Sequence, residues 1–238
     1  MSDGQVADGT ALAEEIRSRG HWHVLLRPTA FNPLLVPYRD LERIMDGARV
    51  ELRGWDVPHL DSRRGVDRGE NWIGCSTDWQ HHREVWRLHQ SGQFVHVAGM
   101  PNDWRDRSSL WPADQSWKPG ARLGVTDALW TLGEYYTLAS RLALALPDTT
   151  ELIVHVRLQG LRQRVLTIDD RGRAPMAADR TTASDAFDAG AQTLSVEQLV
   201  ANPRELALDA ASELFARFGW NPDRGLLREN LDELWQRQ

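Results

Sequence analysis

The sequence predicts an α+β fold, and three features of its 238 residues carry that prediction. Short apolar runs alternate as half-buried strands do. Longer stretches place apolar residues three and four apart, as amphipathic helices do. The C-terminal fifth strings helices together with no strand between them. Together they give one mixed β-sheet of about five to six strands, with helices packed on it and a helical C-terminal segment. Residues 1–168 form the sheet domain, with a tryptophan-rich loop over 99–124. Residues 169–194 read as a mobile linker or excursion, and 195–238 as helices packing on the same core.

In chain order, Thr10 caps a short helix running to Arg19, which Gly20 stops. "HWHVLLRP" (21–28) alternates, with Trp22, Val24 and Leu26 on one face and His21, His23, Leu25 and Arg27 on the other; Pro28 ends the strand. Tyr38, Leu41, Met45 and Ala48 place a helix over 37–48. "RVELRGW" (49–55) alternates again, so strand, helix and strand suggest a crossover with parallel pairing. A polar loop leads to a strand at 71–77. Asp78 as cap and Gly92 as stop predict a helix over 79–91, with Trp79, His82, Trp86 and His89 on one stripe. The rival is a hairpin turning at Ser91-Gly92. "QFVHVA" (93–98) is a strand either way.

Residues 99–124 hold Pro101, Pro112, Pro119 and three tryptophans, which argue for a binding loop or an anchored one rather than disorder. A helix over 126–146 follows, with Leu129, Leu132, Tyr136, Ala139, Ala143 and Leu146 on its stripe and Pro147 at its end. "ELIVHVRL" (151–158) and "RVLTID" (164–169) are strands. Ser195 with Gln198, and Asn202 with Glu205, are capping boxes for the tail helices; Asn221-Pro222 starts the last one, lined by Leu227, Leu231 and Leu234.

Composition removes several functions. A net charge of −6 argues against broad attraction to nucleic acid or anionic membrane, and no apolar run is long enough to span a bilayer. The N-terminus lacks a signal-peptide pattern and Cys75 is the only cysteine, so the expected compartment is the cytoplasm. Lys118 is the only lysine, a lopsidedness read as a coding bias in preference to phosphate or carboxylate recognition. Glycine-rich phosphate loops and a G-x-S-x-G elbow are missing.

What remains is a set of weaker patterns. His21 with His23, and His81, His82 and His89 with Glu84, match no metal-site spacing, so neither a metal nor a cofactor is expected. Cys75 reads as a small buried residue rather than a nucleophile. Asp46 and Glu51-x-Arg53 imitate the acid pattern of metal-dependent nucleases without its lysine. More suggestive, His23, Arg27, Arg53, His96, His155 and Arg157 fall on the less apolar sides of their strands. If those sides meet beneath the tryptophan loop, they form a basic, aromatic-lidded pocket. If they face water, they are a solvated sheet surface.

The candidate ligand-binding residues are therefore Arg27, Arg53, Trp55, His96, His155, Arg157 and Trp104. The expected function is a cytosolic binding or regulatory module that recognises an anionic ligand or a protein partner. One alternative is a hydrolase or nuclease using histidine and carboxylate groups. Another is single-stranded nucleic-acid binding by stacking on Trp104, Trp111 and Trp117 with Arg105 and Arg107, which the net charge disfavours. The last helices, with Trp235, are a candidate homo-oligomer contact.

Overall fold

The computed structural model describes residues 9–60, 65–105, 118–169 and 174–236. Its helices are α1 (Gly9–Arg17), α2 (Leu41–Ala48), α3 (Val125–Ala145), α4 (Val196–Ala201), α5 (Pro203–Ala216) and α6 (Arg224–Trp235). Its strands are β1 (His21–Pro28), β2 (Asp67–Arg68), β3 (Trp72–Trp79), β4 (His82–His89), β5 (Phe94–Gly99), β6 (Arg122–Gly124), β7 (Glu151–Gln159), β8 (Val165–Thr167), β9 (Arg180–Thr181) and β10 (Ala186–Ser195). Seven strands form one sheet in the order β10-β7-β1-β5-β4-β3-β2, and every described pairing in it is antiparallel. The β6-β8-β9 sheet adds the parallel β6–β8 pair. The fold is α+β.

Strand alternation gives the large sheet two unlike faces. In register across β7, β1, β5, β4 and β3, one front row reads Val154, Leu26, Phe94, Leu88, Ile73, and the next reads Val156, Val24, His96, Trp86, Cys75. A third reads Leu158, Trp22, Ala98, Glu84, Thr77. These rows face α3, whose residues are buried nearly all round because α2, α4, α5 and α6 also pack on it. The back face is divided: α1 sets Leu12 and Ile16 on Val97 and Val85, while the part carried by β1 and β7 has no helix over it. None of the described helices is long and apolar enough to cross a membrane.

Several expectations need correction. Residues 79–91 are not a helix: β3 and β4 form a hairpin closed by Trp79 opposite His82, with Gln80 in the left-handed region at φ 52°. Burial at Glu84, Trp86 and Leu88 has period two, and the histidine stripe at helical spacing is coincidental. Residues 49–55 make no sheet strand. Gly54 at φ 78° folds the chain back so that Val50 and Val57 exchange hydrogen bonds of 3.0 and 2.8 Å in an isolated bridge, and the parallel crossover does not form. The 169–194 stretch supplies edge strand β10, paired along β7 from Ala186 to Ser195, because its small residues suit an edge as well as a loop. Ser195 and Gln198 do form a reciprocal capping box, whereas the Asn202 side chain makes no cap bond.

Phe94 is fully buried between Leu26 and Leu88. Phe94→Ala is expected to cost about 3–5 kcal/mol in denaturant unfolding, and a loss below about 1 kcal/mol would contradict this packing.

Candidate functional site

A cavity of about 460 Å³ opens where the polar end of the sheet's front face meets the first three turns of α3. Trp22, Ala98, Glu84 and His96 reach it from the sheet, and Asp127, Thr131, Glu134 and Tyr135 from α3. Arg53, Trp55 and Val57 enter from the loop after α2, His81 and His82 from the β3–β4 turn, Asn102 and Arg105 from the segment after β5, and Asp169 from beyond β8.

Arg53 organises the floor. On α3, Asp127, Thr131 and Glu134 are four and three residues apart, so all three lie on one face. Arg53 Nε and one terminal nitrogen donate to the two Glu134 oxygens at 2.9 and 2.5 Å. The same terminal nitrogen also donates to Thr131 Oγ1 at 3.0 Å, and the other donates to Asp127 Oδ1 at 2.8 Å. Burial works against the guanidinium charge, but Glu134 and Asp127 outweigh it and hold Arg53 more firmly protonated than a free arginine. Burial also pushes the Glu134 carboxyl above its ordinary value, with Arg53 pulling against it. Asp169 completes this wall by accepting the Thr126 and Asp127 amides, at 2.7 and 3.0 Å, at the start of α3.

Glu84 is the second buried carboxylate. It accepts from His96 Nε2 at 2.7 Å, from Trp55 Nε1 at 3.2 Å and from the His59 amide at 3.2 Å. Burial alone would raise its carboxyl, but these donors, His96 foremost, hold it below the ordinary value. The Trp55 ring stacks on His59 and on His82, each with centroids 4.1 Å apart, and on Trp79 at 5.7 Å. This stack forms one wall. At the mouth, burial, the neighbouring His81 and the Arg105 charge depress the His82 imidazole to about 4, although Glu84 opposes them. Burial and Arg105 also lower His81.

Three of the residues singled out from sequence, Arg53, Trp55 and His96, meet in this cavity. The others do not. His155 and Arg157 lie on the back face of β7, where both bond Asp188, at 2.7 and 2.8 Å, and Arg27 shares that face on β1. Trp104 is clamped between the Arg19 and Arg83 guanidiniums, each 4.1 Å from its ring. It packs so closely on Gly99 that a Cβ there would sit 2.5 Å from its indole nitrogen. His96 does not share the face of Arg27, His155 and Arg157: it lies level with Val24 and Val156 on the helix-covered side of the sheet, while α1 covers the other side of β5. Trp111, Trp117 and Arg107 lie outside the described residues.

The other candidates disperse. Asp46 is exposed and pairs with Arg49, Glu51 is exposed, and Arg53 turns away from both to α3. Cys75 is a core residue opposite Trp86. His89 lies at the far end of β4, opposite Trp72. Among the described residues no three histidine, cysteine or acidic groups are placed to hold a metal. Sequence reading passed over Asp127, Glu134, Tyr135 and Asp169.

Chemically, both buried carboxylates have their oxygens engaged by fixed donors. The open functionality is the Tyr135 hydroxyl, the second oxygen of Asp127, His81, His82 and Arg105.

A histidine whose pKa falls on folding stays neutral in the fold while it protonates in the unfolded chain. Its stabilising contribution is present above about pH 6.5 and is lost as pH falls toward the folded value. NMR titration is therefore expected to show His82 still neutral at pH 5, with a midpoint of about 4. A midpoint of 6 or above would contradict its buried, cation-flanked setting.

No protein-family model, curated protein or solved structure matches this chain, so the chemistry of the cavity carries the functional reading.

Proposed function

We propose that the protein is a cytosolic binding module that takes a small anionic ligand into the cavity between the sheet and α3. The observation that carries this reading is Arg105. Of the three guanidiniums lining the cavity, Arg53 is spent on Glu134 and Asp127, and Arg83 on Glu15 and Asp78. Arg105 has no ion pair among the described residues. Burial and the Arg105 charge keep His81 and His82 toward the neutral form, and an arriving anion favours their protonation in turn. The volume suits a small molecule, and aromatic walls with a few fixed polar groups are the usual make-up of such a site. The placement of Cys75 in the core is in keeping with a reducing compartment.

Two earlier alternatives have less support. For a hydrolase, the oxygens of Glu84 and Glu134 are already engaged by donors, which leaves Asp127, His81 and His82 as the open acid and base groups among the described cavity residues. Of the three tryptophans named for base stacking only Trp104 is among the described residues, and two guanidiniums lie over its ring.

Calorimetric titration with inorganic phosphate is expected to show binding to the wild-type protein and at least about tenfold weaker binding to Arg105→Ala, a difference of about 1.4 kcal/mol. A wild-type protein that ignores millimolar phosphate, or a variant that binds it equally well, would overturn the proposal.

A further inference from the structure

The charges around the cavity are sorted rather than mixed. Arg105, His81 and His82 influence one another at the mouth. Asp127, Glu134 and Asp169 gather around the start of α3, with Glu84 between the two groups. Arg53 is the one guanidinium in the inner group, and Glu134 and Asp127 together already exceed its charge by one. Asp169 adds a further carboxylate, held by two backbone amides. An anion at Arg105 alone leaves the acidic group at the start of α3 in excess of negative charge.

A second observation points the same way. Tyr135 is only 2% exposed and lines the cavity, yet its hydroxyl has no hydrogen-bond partner among the described residues. Its ring is fixed by edge contacts with Trp22 and His96, at centroid distances of 5.9 and 5.7 Å. His96, also 2% exposed, commits Nε2 to Glu84 and leaves Nδ1 buried without a partner. His96 Nδ1 is thus a buried polar atom left unmatched, whereas the Tyr135 hydroxyl, which is not among the buried unmatched atoms, offers an open polar group to the cavity. Beside them, Asp127 gives one oxygen to Arg53 and keeps the other open.

We infer that the ligand is a small zwitterion, its phosphate or carboxylate held at Arg105 and its ammonium at Asp127 and the Tyr135 hydroxyl. The inference rests on the anion-binding reading above and adds the cationic half of the ligand. A charge-assisted bond from an ammonium to a partly desolvated carboxylate is stronger than a neutral one, so the second charge tightens binding instead of merely being tolerated. The acid-rich floor equally repels a ligand carrying anionic groups at both ends.

Matched probes isolate that charge: ethyl-, propyl- and butylphosphonate against their ω-amino counterparts, titrated calorimetrically into the wild-type protein. At least one amino compound is expected to bind ten times more tightly than its alkyl partner. Asp127→Asn keeps the oxygen that Arg53 uses but removes the charge, and it is expected to narrow that ratio to below threefold. If phosphonates bind but no amino group improves any of them, the zwitterion is wrong and the anion site stands. If neither series binds, the anion site itself fails and this inference fails with it. A ratio that persists in a folded Asp127→Asn protein overturns the assignment of the ammonium to Asp127.

Discussion

The placement of Arg53 opposite Glu134 is the constraint on which the site depends. A glutamate in the middle of a helix buried on nearly every side is costly unless a cation meets it. The loop after α2 supplies that cation, and its tight return at Gly54 keeps Arg53 close to the helix. Once the fork is seated on Glu134, Asp127 and Thr131, the neighbouring Trp55 lies where its indole donates to Glu84 and stacks on His82. One ion pair therefore fixes the loop, the aromatic wall and the second carboxylate together. Such networks are strong when every member is satisfied and fragile when one is removed.

The same arrangement explains why the cavity is polar at one end of an otherwise apolar face. Moving along the front of the sheet, the Phe94 row is wholly apolar, the next carries His96, and the last carries Glu84. α3 runs in the matching sense, with its apolar body over the first rows and Asp127 to Glu134 over the last. Sheet and helix thus grade together from packed core to polar cavity, and no separate domain is needed to make a pocket.

Much of the fold was legible in the sequence, because strands such as "HWHVLLRP" and helices such as 126–146 carry clean periods and clear stops. The β3–β4 hairpin was not, since Trp79, His82, Trp86 and His89 also fit a helical stripe, and no glycine marks the turn at Gln80-His81. Arg53 and Trp55 were visible as a pair on one side of their segment. Their partners were harder to see: Asp127, Thr131 and Glu134 share a helical face, a pattern present in the sequence but hidden by the stronger apolar stripe beside it. The facing of Arg27, His155 and Arg157 away from the cavity depends on which side of the sheet the helices cover, and that is a tertiary fact.

Unfolding free energies of Arg53→Met and of Arg53→Met with Glu134→Met, compared at neutral pH, test the central claim most directly. If the ion pair is the coupled unit described, the single variant loses about 3–5 kcal/mol, because it strands a buried carboxylate, and the double variant recovers at least about 2 kcal/mol of that loss. A single variant as stable as the wild type, or a double variant whose losses simply add, would contradict it.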